Sequence, residues 1–287
     1  MVLSSRQTNT LLQFFIVTTI LRTLQLKYYK IHSNLSQLED QLKPEHRTKG
    51  ELGLTILTIL LAGASVNFFI FGSLGIIPFV TYRDTILIPS VIAIAAIVIY
   101  SRYKMKRLSN RLFTGLWTGA VATLALEAIR IPGYAIWHWL PGDDMIMMPG
   151  AFLNGLAPSP MTLMQMMHSG AMMYMPQSAM MAVMISGAIY HFWNGATMGA
   201  MYALFVGKGR WYYGIAWGFM INIGMMFAPW LIMMMGPFGY KYMAGYNIFV
   251  VALLAHLAYG AVLGILAQRF VKEKGSIATL HRQKTAQ

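Results

Sequence analysis

Two stretches decide how this chain folds: His191-Phe-Trp-Asn-Gly195-Ala-Thr-Met-Gly199 and His256-Leu-Ala-Tyr-Gly260-Ala-Val-Leu-Gly264. Both read His-x3-Gly-x3-Gly inside long apolar runs. Residues four and eight apart stack nearly on one face of an α-helix, so each histidine stands in line with a strip of two glycines. Such strips let helix backbones approach closely where lipid supplies no hydrophobic drive between helices. The same glycine spacing recurs at Gly115 and Gly119 and at Gly214 and Gly218. One copy would carry little information, but a copy in each of four successive apolar runs predicts a four-helix core packed through bare backbone. The two histidine motifs also read as a candidate internal repeat, with both helices running outside to inside and both histidines at a similar depth.

Working outward, composition places that core in a membrane. Of the 287 residues 57% are apolar and 11% charged, whereas a soluble domain carries about 25% charge. An ordinary water-soluble enzyme is excluded. Apolar runs long enough to cross a bilayer lie at about 52–74, 84–101, 112–131, 179–206, 212–235 and 247–268. The expected fold is therefore an all-α polytopic bundle of six transmembrane helices, or seven if residues 8–26 cross rather than lie in the interface. Of the 22 Lys and Arg residues, 19 fall on one side of these spans, leaving only Arg83, Arg130 and Lys241 on the other. The positive-inside rule then puts the polar 27–50 segment and the C-terminal tail in the cytoplasm of a cell membrane. The start of the chain has no basic n-region and no small-residue cleavage site before Arg22, so a cleaved signal peptide is not expected.

The expected organisation is an N-terminal segment over 1–50, a peripheral two-span hairpin over 51–110, a four-span core over 111–268 and a basic tail over 269–287. The net charge of +13 lies beside membrane spans instead of forming one basic surface, so the bilayer and not nucleic acid is the expected partner. The absence of cysteine removes disulfides, thiolate metal sites and thiol catalysis. No phosphate-binding loop, dinucleotide fingerprint, H-E-x-x-H or G-x-S-x-G elbow is present, so ATP-driven pumping and the familiar intramembrane hydrolases are not expected.

Over spans three to six, the long His-x3-Gly-x3-Gly helices resemble those of uncharacterised multi-span membrane proteins of the YagU type. That resemblance implies a helical bundle and carries no reaction with it.

Between spans three and four, residues 132–178 contain no Lys or Arg, and ten methionines fall between Met145 and Met175. Repeated proline and glycine predict short helices lying on or re-entering the outer leaflet. Thioethers are soft ligands suited to Cu(I), and imidazole can join them. The leading expectation is a non-enzymatic protein that binds or passes a soft metal, above all copper. Met161, Met164, Met166, Met167, His168, Met172, Met173 and Met175 would capture the ion, Met180, Met184, His191 and His256 would lie further along its path, and Glu127 would adjust charge. The competing reading is that methionine is adaptable apolar filler, in an accessory subunit of a membrane redox complex or in a homo-oligomer.

Three pairs of polar residues inside the spans stand out. Glu127 and Arg130 share the outer part of span three, where a charge needs a partner or a water cavity; at i, i+3 they can pair with each other. His191 and His256 can hydrogen-bond between helices, ligate a metal together with Glu127, take part in a protonation step in transport, or serve as axial ligands of a b-type haem between spans four and six. Asn194 and Asn222 are expected to glue helices together, and Pro229 and Pro237 to kink or end span five.

Overall fold

A computed structural model describes residues 49–140, 144–240 and 245–272, with the side chains of residues 49, 144, 145 and 173 left aside. Expectations for 8–26, the 27–48 segment, Lys241 and the tail beyond 272 lie outside these residues. All described residues belong to one compact unit. They form nine helices and no strand: α1 (Lys49–Ser73), α2 (Phe79–Lys104), α3 (Lys106–Ala135), α4 (Asp144–Leu153), α5 (Pro160–His168), α6 (Gln177–Phe205), α7 (Tyr212–Met226), α8 (Pro229–Met235) and α9 (Asn247–Phe270).

Four of these, α1, α2, α3 and α9, are long and apolar enough to cross a membrane, and α7 with the helical residues after it makes a fifth if that bent pair is one span. The bend is 60°, and its cause is Pro229, which cannot continue the hydrogen-bond ladder of α7. Pro89 acts more gently in α2. It has no N–H for the Thr85 carbonyl, and the helix widens into a π turn over Arg83–Leu87 just before it. The predicted fourth span forms α6, a single helix of 29 residues, but it is not among the helices apolar enough to count by composition. His191, Asn194, Gly195 and Thr197 dilute its hydropathy, and neighbouring helices shield them from lipid.

The four glycine strips pair off. α3 packs on α6, α7 on α9, and α9 also lies along α3. A Cβ at Gly115 would stand 2.6 Å from Ala200 Cα, and one at Gly119 would stand 2.9 Å from Gly199 Cα. In the second pair, a Cβ at Gly214 would stand 2.6 Å from Gly264 Cα. Each His-x3-Gly-x3-Gly helix thus has its own glycine-bearing partner, and the two pairs are joined side by side. α4 reaches α6 by the same device, since a Cβ at Gly187 would overlap the Ile146 carbonyl and one at Gly150 the Val183 carbonyl.

One end of the bundle is basic. There, Trp211 N–H donates to Gln268 Oε1 (2.9 Å), Lys272 N–H to Asn110 Oδ1 (2.9 Å) and Arg111 to the Leu204 carbonyl (3.4 Å). Among the described cations only Arg83 and Arg130 lie away from it. At the other end α4, α5 and α8 close over an aromatic cluster in which Phe79 and Phe152 stack at 4.0 Å and Phe69 meets Trp230 at 4.9 Å. Arg83 ties α2 to this end by donating to the Leu153 carbonyl.

Asn222 departs from expectation. It is fully buried on α7, yet neither atom of its amide has a hydrogen-bond partner among the described residues. It glues nothing, and a buried unsatisfied amide costs about 1–3 kcal/mol. Asn222→Leu is therefore expected to raise thermal stability in detergent, whereas Gly199→Leu, which forces α3 and α6 apart, should cost about 3 kcal/mol or prevent folding. Gly63→Ala is the control: its new methyl meets only Asn67 Nδ2 at 3.8 Å, and its melting temperature should stay near that of the parent.

Candidate functional site

The helix pairs do not fill the space between them. A cavity of about 620 Å³ lies in the bundle, walled by α1, α3, α6, α7, α8 and α9 with Pro149 and Met148 of α4. It is predominantly apolar, with Leu126, Ile221, Val251, Trp217 and Trp230 among its walls. His191 and His256 both face it, so the two histidine motifs converge on one space as their common depth suggested. α1 was expected at the periphery, but it contributes Gly63, Asn67, Phe69 and Ile70 to the wall.

The charged edge of the cavity is built on α3. Glu127 and Arg130 are 8% and 4% exposed, and at i, i+3 the Arg130 Nε donates to both carboxylate oxygens at 3.0 Å while Nη2 donates to Oε2. The guanidinium also lies 5.6 Å from the centre of the Tyr134 ring. On the other side, His191 Nε2 of α6 approaches Glu127 Oε1 to 2.7 Å. Sequence spacing placed the carboxylate nearer the outer boundary than the histidine; the packing of α3 on α6 brings them to one level. Glu127 thus pairs along its own helix, as the i, i+3 spacing allows, and also touches an imidazole of α6. A carboxylate with one guanidinium and one imidazole around it carries no net negative charge into the apolar space, and that makes its burial tolerable.

His256 is set differently. Its Nδ1 bonds the Ala252 carbonyl of its own helix at 2.7 Å, and no carboxylate pairs with it among the described residues. Tyr259, one turn on, donates to the Gly195 carbonyl at 2.7 Å, stitching α9 to α6. Nearby, Ser65 donates to Asn194 Oδ1 at 3.0 Å and shares a hydrogen with Thr197 Oγ1 at 2.8 Å, while Tyr190 donates to the Ser65 carbonyl. Asn194 is helix glue as expected. Ser65, Tyr190 and Tyr259 had drawn no attention in the sequence; their only signal is lying in the same spans as the polar residues they bind.

Among the described residues no group of three or more His, Asp or Glu side chains is placed to hold a metal ion. Glu127 meets His191, and His256 is not gathered with them into a ligand set. The methionines of the 161–175 segment turn largely inward. Met172 is buried, and Met164, Met166, Met167 and Met175, with Met180 of α6, pack against the aromatic cluster. Met161 and His168 are exposed on α5 and Met184 is half-buried; the Met173 side chain lies outside the described set. Thioether against aromatic ring is a favourable contact in its own right, so this geometry supports the filler reading.

Removing one member of the buried ion pair should be costly. Glu127→Leu removes the carboxylate that Arg130 grips along its own helix and is expected to destabilise the protein by about 3 kcal/mol. The double variant Glu127→Leu with Arg130→Met should regain most of that loss in denaturation measured in detergent micelles; no recovery would mean that the pair is not coupled. Compared with protein-family models, with curated proteins and with solved structures, the chain finds no match, so its function has to be read from this geometry.

Proposed function

We propose that this is a non-enzymatic multi-pass membrane protein that holds a lipid-soluble organic molecule in the cavity between its two glycine-paired helix pairs. The observation that carries this reading is the cavity itself. Its volume of about 620 Å³ falls in the range of sites for drug-sized organic ligands, about 300–1,000 Å³, and its wall has the usual character of such sites, apolar with a few placed polar groups. A space that large between transmembrane helices has the bilayer as its nearest reservoir. In this reading α6 and the bent α7–α8 pair cross with the four apolar helices, giving six spans, and the basic end with the C-terminal tail faces the cytoplasm. A break at α7–α8 beside a site between repeated helix pairs is the arrangement used by many carriers. The likeness to YagU-type proteins adds only that such a bundle is to be expected.

A second reading keeps the soft-metal expectation and moves it inward from the cap. Six methionines line the same cavity, among them Met198 and Met201 of α6 and Met220 and Met225 of α7, beside both imidazoles. That is a donor set suited to Cu(I).

Gly224 separates the alternatives. It lines the cavity, and a Cβ there meets nothing within 4 Å, so the first carbon of a Gly224→Leu side chain enters without a clash and the rest takes up cavity space. Mass spectrometry of molecules extracted from gently purified protein should find one organic species near stoichiometric amount in the parent and at least tenfold less in Gly224→Leu, with the melting temperature unchanged. Equal amounts in both would remove the cavity as the site. For the metal reading, copper bound after Cu(I) loading should fall in a Met198→Leu, Met201→Leu, Met225→Leu variant; unchanged copper would reject it.

A further inference from the structure

We propose that His256 Nε2 is the polar anchor of the cavity and that the guest presents to it a hydroxyl group, as a membrane-soluble alcohol or phenol does. The inference rests on the cavity reading above and names the chemistry of its occupant.

The tautomer of His256 follows from its surroundings. The Ala252 carbonyl, 2.7 Å from Nδ1, is an acceptor only, so Nδ1 must carry the hydrogen. A neutral imidazole with its proton on Nδ1 has a lone pair on Nε2 and no hydrogen there. Among the described residues no protein donor bonds to this nitrogen, and His256 is part of the cavity wall. What the cavity offers at this point is therefore a hydrogen-bond acceptor in apolar surroundings. A guest that brings a donor satisfies it; a guest with only acceptors, or with an apolar end, leaves it unpaired. A cationic donor would need a carboxylate, and the one at hand, Glu127, is already held by Arg130 and approached by His191; among neutral donors a hydroxyl suits apolar walls better than an amide, whose carbonyl would need a second partner there.

The other histidine supports the assignment by contrast. His191 holds Nε2 2.7 Å from Glu127 Oε1; the contact lacks the alignment of a hydrogen bond, but it sets an acid directly against that nitrogen. The repeat has diverged at the position that matters: two imidazoles stand on equivalent helices facing one space, one engaged with an acid and one left open to the guest. A metal ion held by His, Asp and Glu alone is disfavoured as the partner of Nε2, since no second and third ligand of those types accompany it among the described residues.

The test compares two probes of one shape. Binding of 4-nonylphenol and of its methyl ether, 4-nonylanisole, is measured by native mass spectrometry on the purified full-length chain, on His256→Phe and on His256→Gln. The ether keeps the ring and tail and cannot donate. The parent should bind the phenol about tenfold more tightly than the ether, the size of effect expected for one buried hydrogen bond. In His256→Phe that preference should vanish, and His256→Gln, whose amide oxygen can accept, should restore part of it. Equal affinity of the parent for both probes would overturn the anchor while leaving the cavity as a binding site. A preference that survives in His256→Phe would overturn it too, by showing that another group reads the hydroxyl. Failure of both probes to bind would remove the cavity reading and the anchor with it. A Soret band on the purified protein would also overturn the proposal, because Nε2 would then carry a haem iron.

Discussion

Everything in the bundle depends on helix backbones touching. In lipid, apolar side chains gain nothing by leaving their surroundings for one another, so helices need another reason to stay together, and close van der Waals contact between bare backbones is one of the few available. Here glycine strips on α3 and α6 and on α7 and α9 interlock so closely that a single Cβ would collide with the opposite chain. The same contacts fix helix rotation, because only one face of each helix is narrow enough. Once that face is turned to its partner, the directions of His191, Asn194, Thr123 and Tyr259 are set as well.

Rotation in turn explains how charge is carried within the bundle. Glu127 sits eight residues beyond Gly119 on α3, and His191 four residues before Gly195 on α6. Packing the strips against each other brings carboxylate and imidazole together, while Arg130 reaches back along its own helix. Geometry that serves packing thereby supplies the partners without which a buried carboxylate would be too expensive. The second helix pair has no acid at the corresponding place; eight residues beyond Gly218 stands Met226, fully buried. One half of the bundle is electrostatically committed and the other remains open.

The methionine-rich segment joins this scheme as a plug. Its short helices carry unbranched side chains into a cluster of aromatic rings, where a flexible thioether can fill gaps that a β-branched residue could not. Met148, Met172, Met234 and Met235 are buried there, together with Phe68, Phe152 and Trp230. Ligand and filler have the same spacing along a chain and differ only in their neighbours; the neighbours described for these methionines are largely aromatic and apolar side chains.

Helix positions, the break at Pro229, the irregular segment before α6 and the glycine faces were legible in the sequence, because each depends on local physics: an apolar run, a missing N–H or a missing Cβ. The polarity of the bundle was legible too, since cations collect at the ends of runs already recognised. The tertiary structure alone decided that Glu127 meets His191, that α1 helps to wall a cavity, that Asn222 has no hydrogen-bond partner among the described residues and that α6 can be less apolar than its neighbours because it is enclosed by them. These are relations between residues far apart in the chain. They depend on which helix lies beside which and how each is turned, and no periodicity within one segment contains that information.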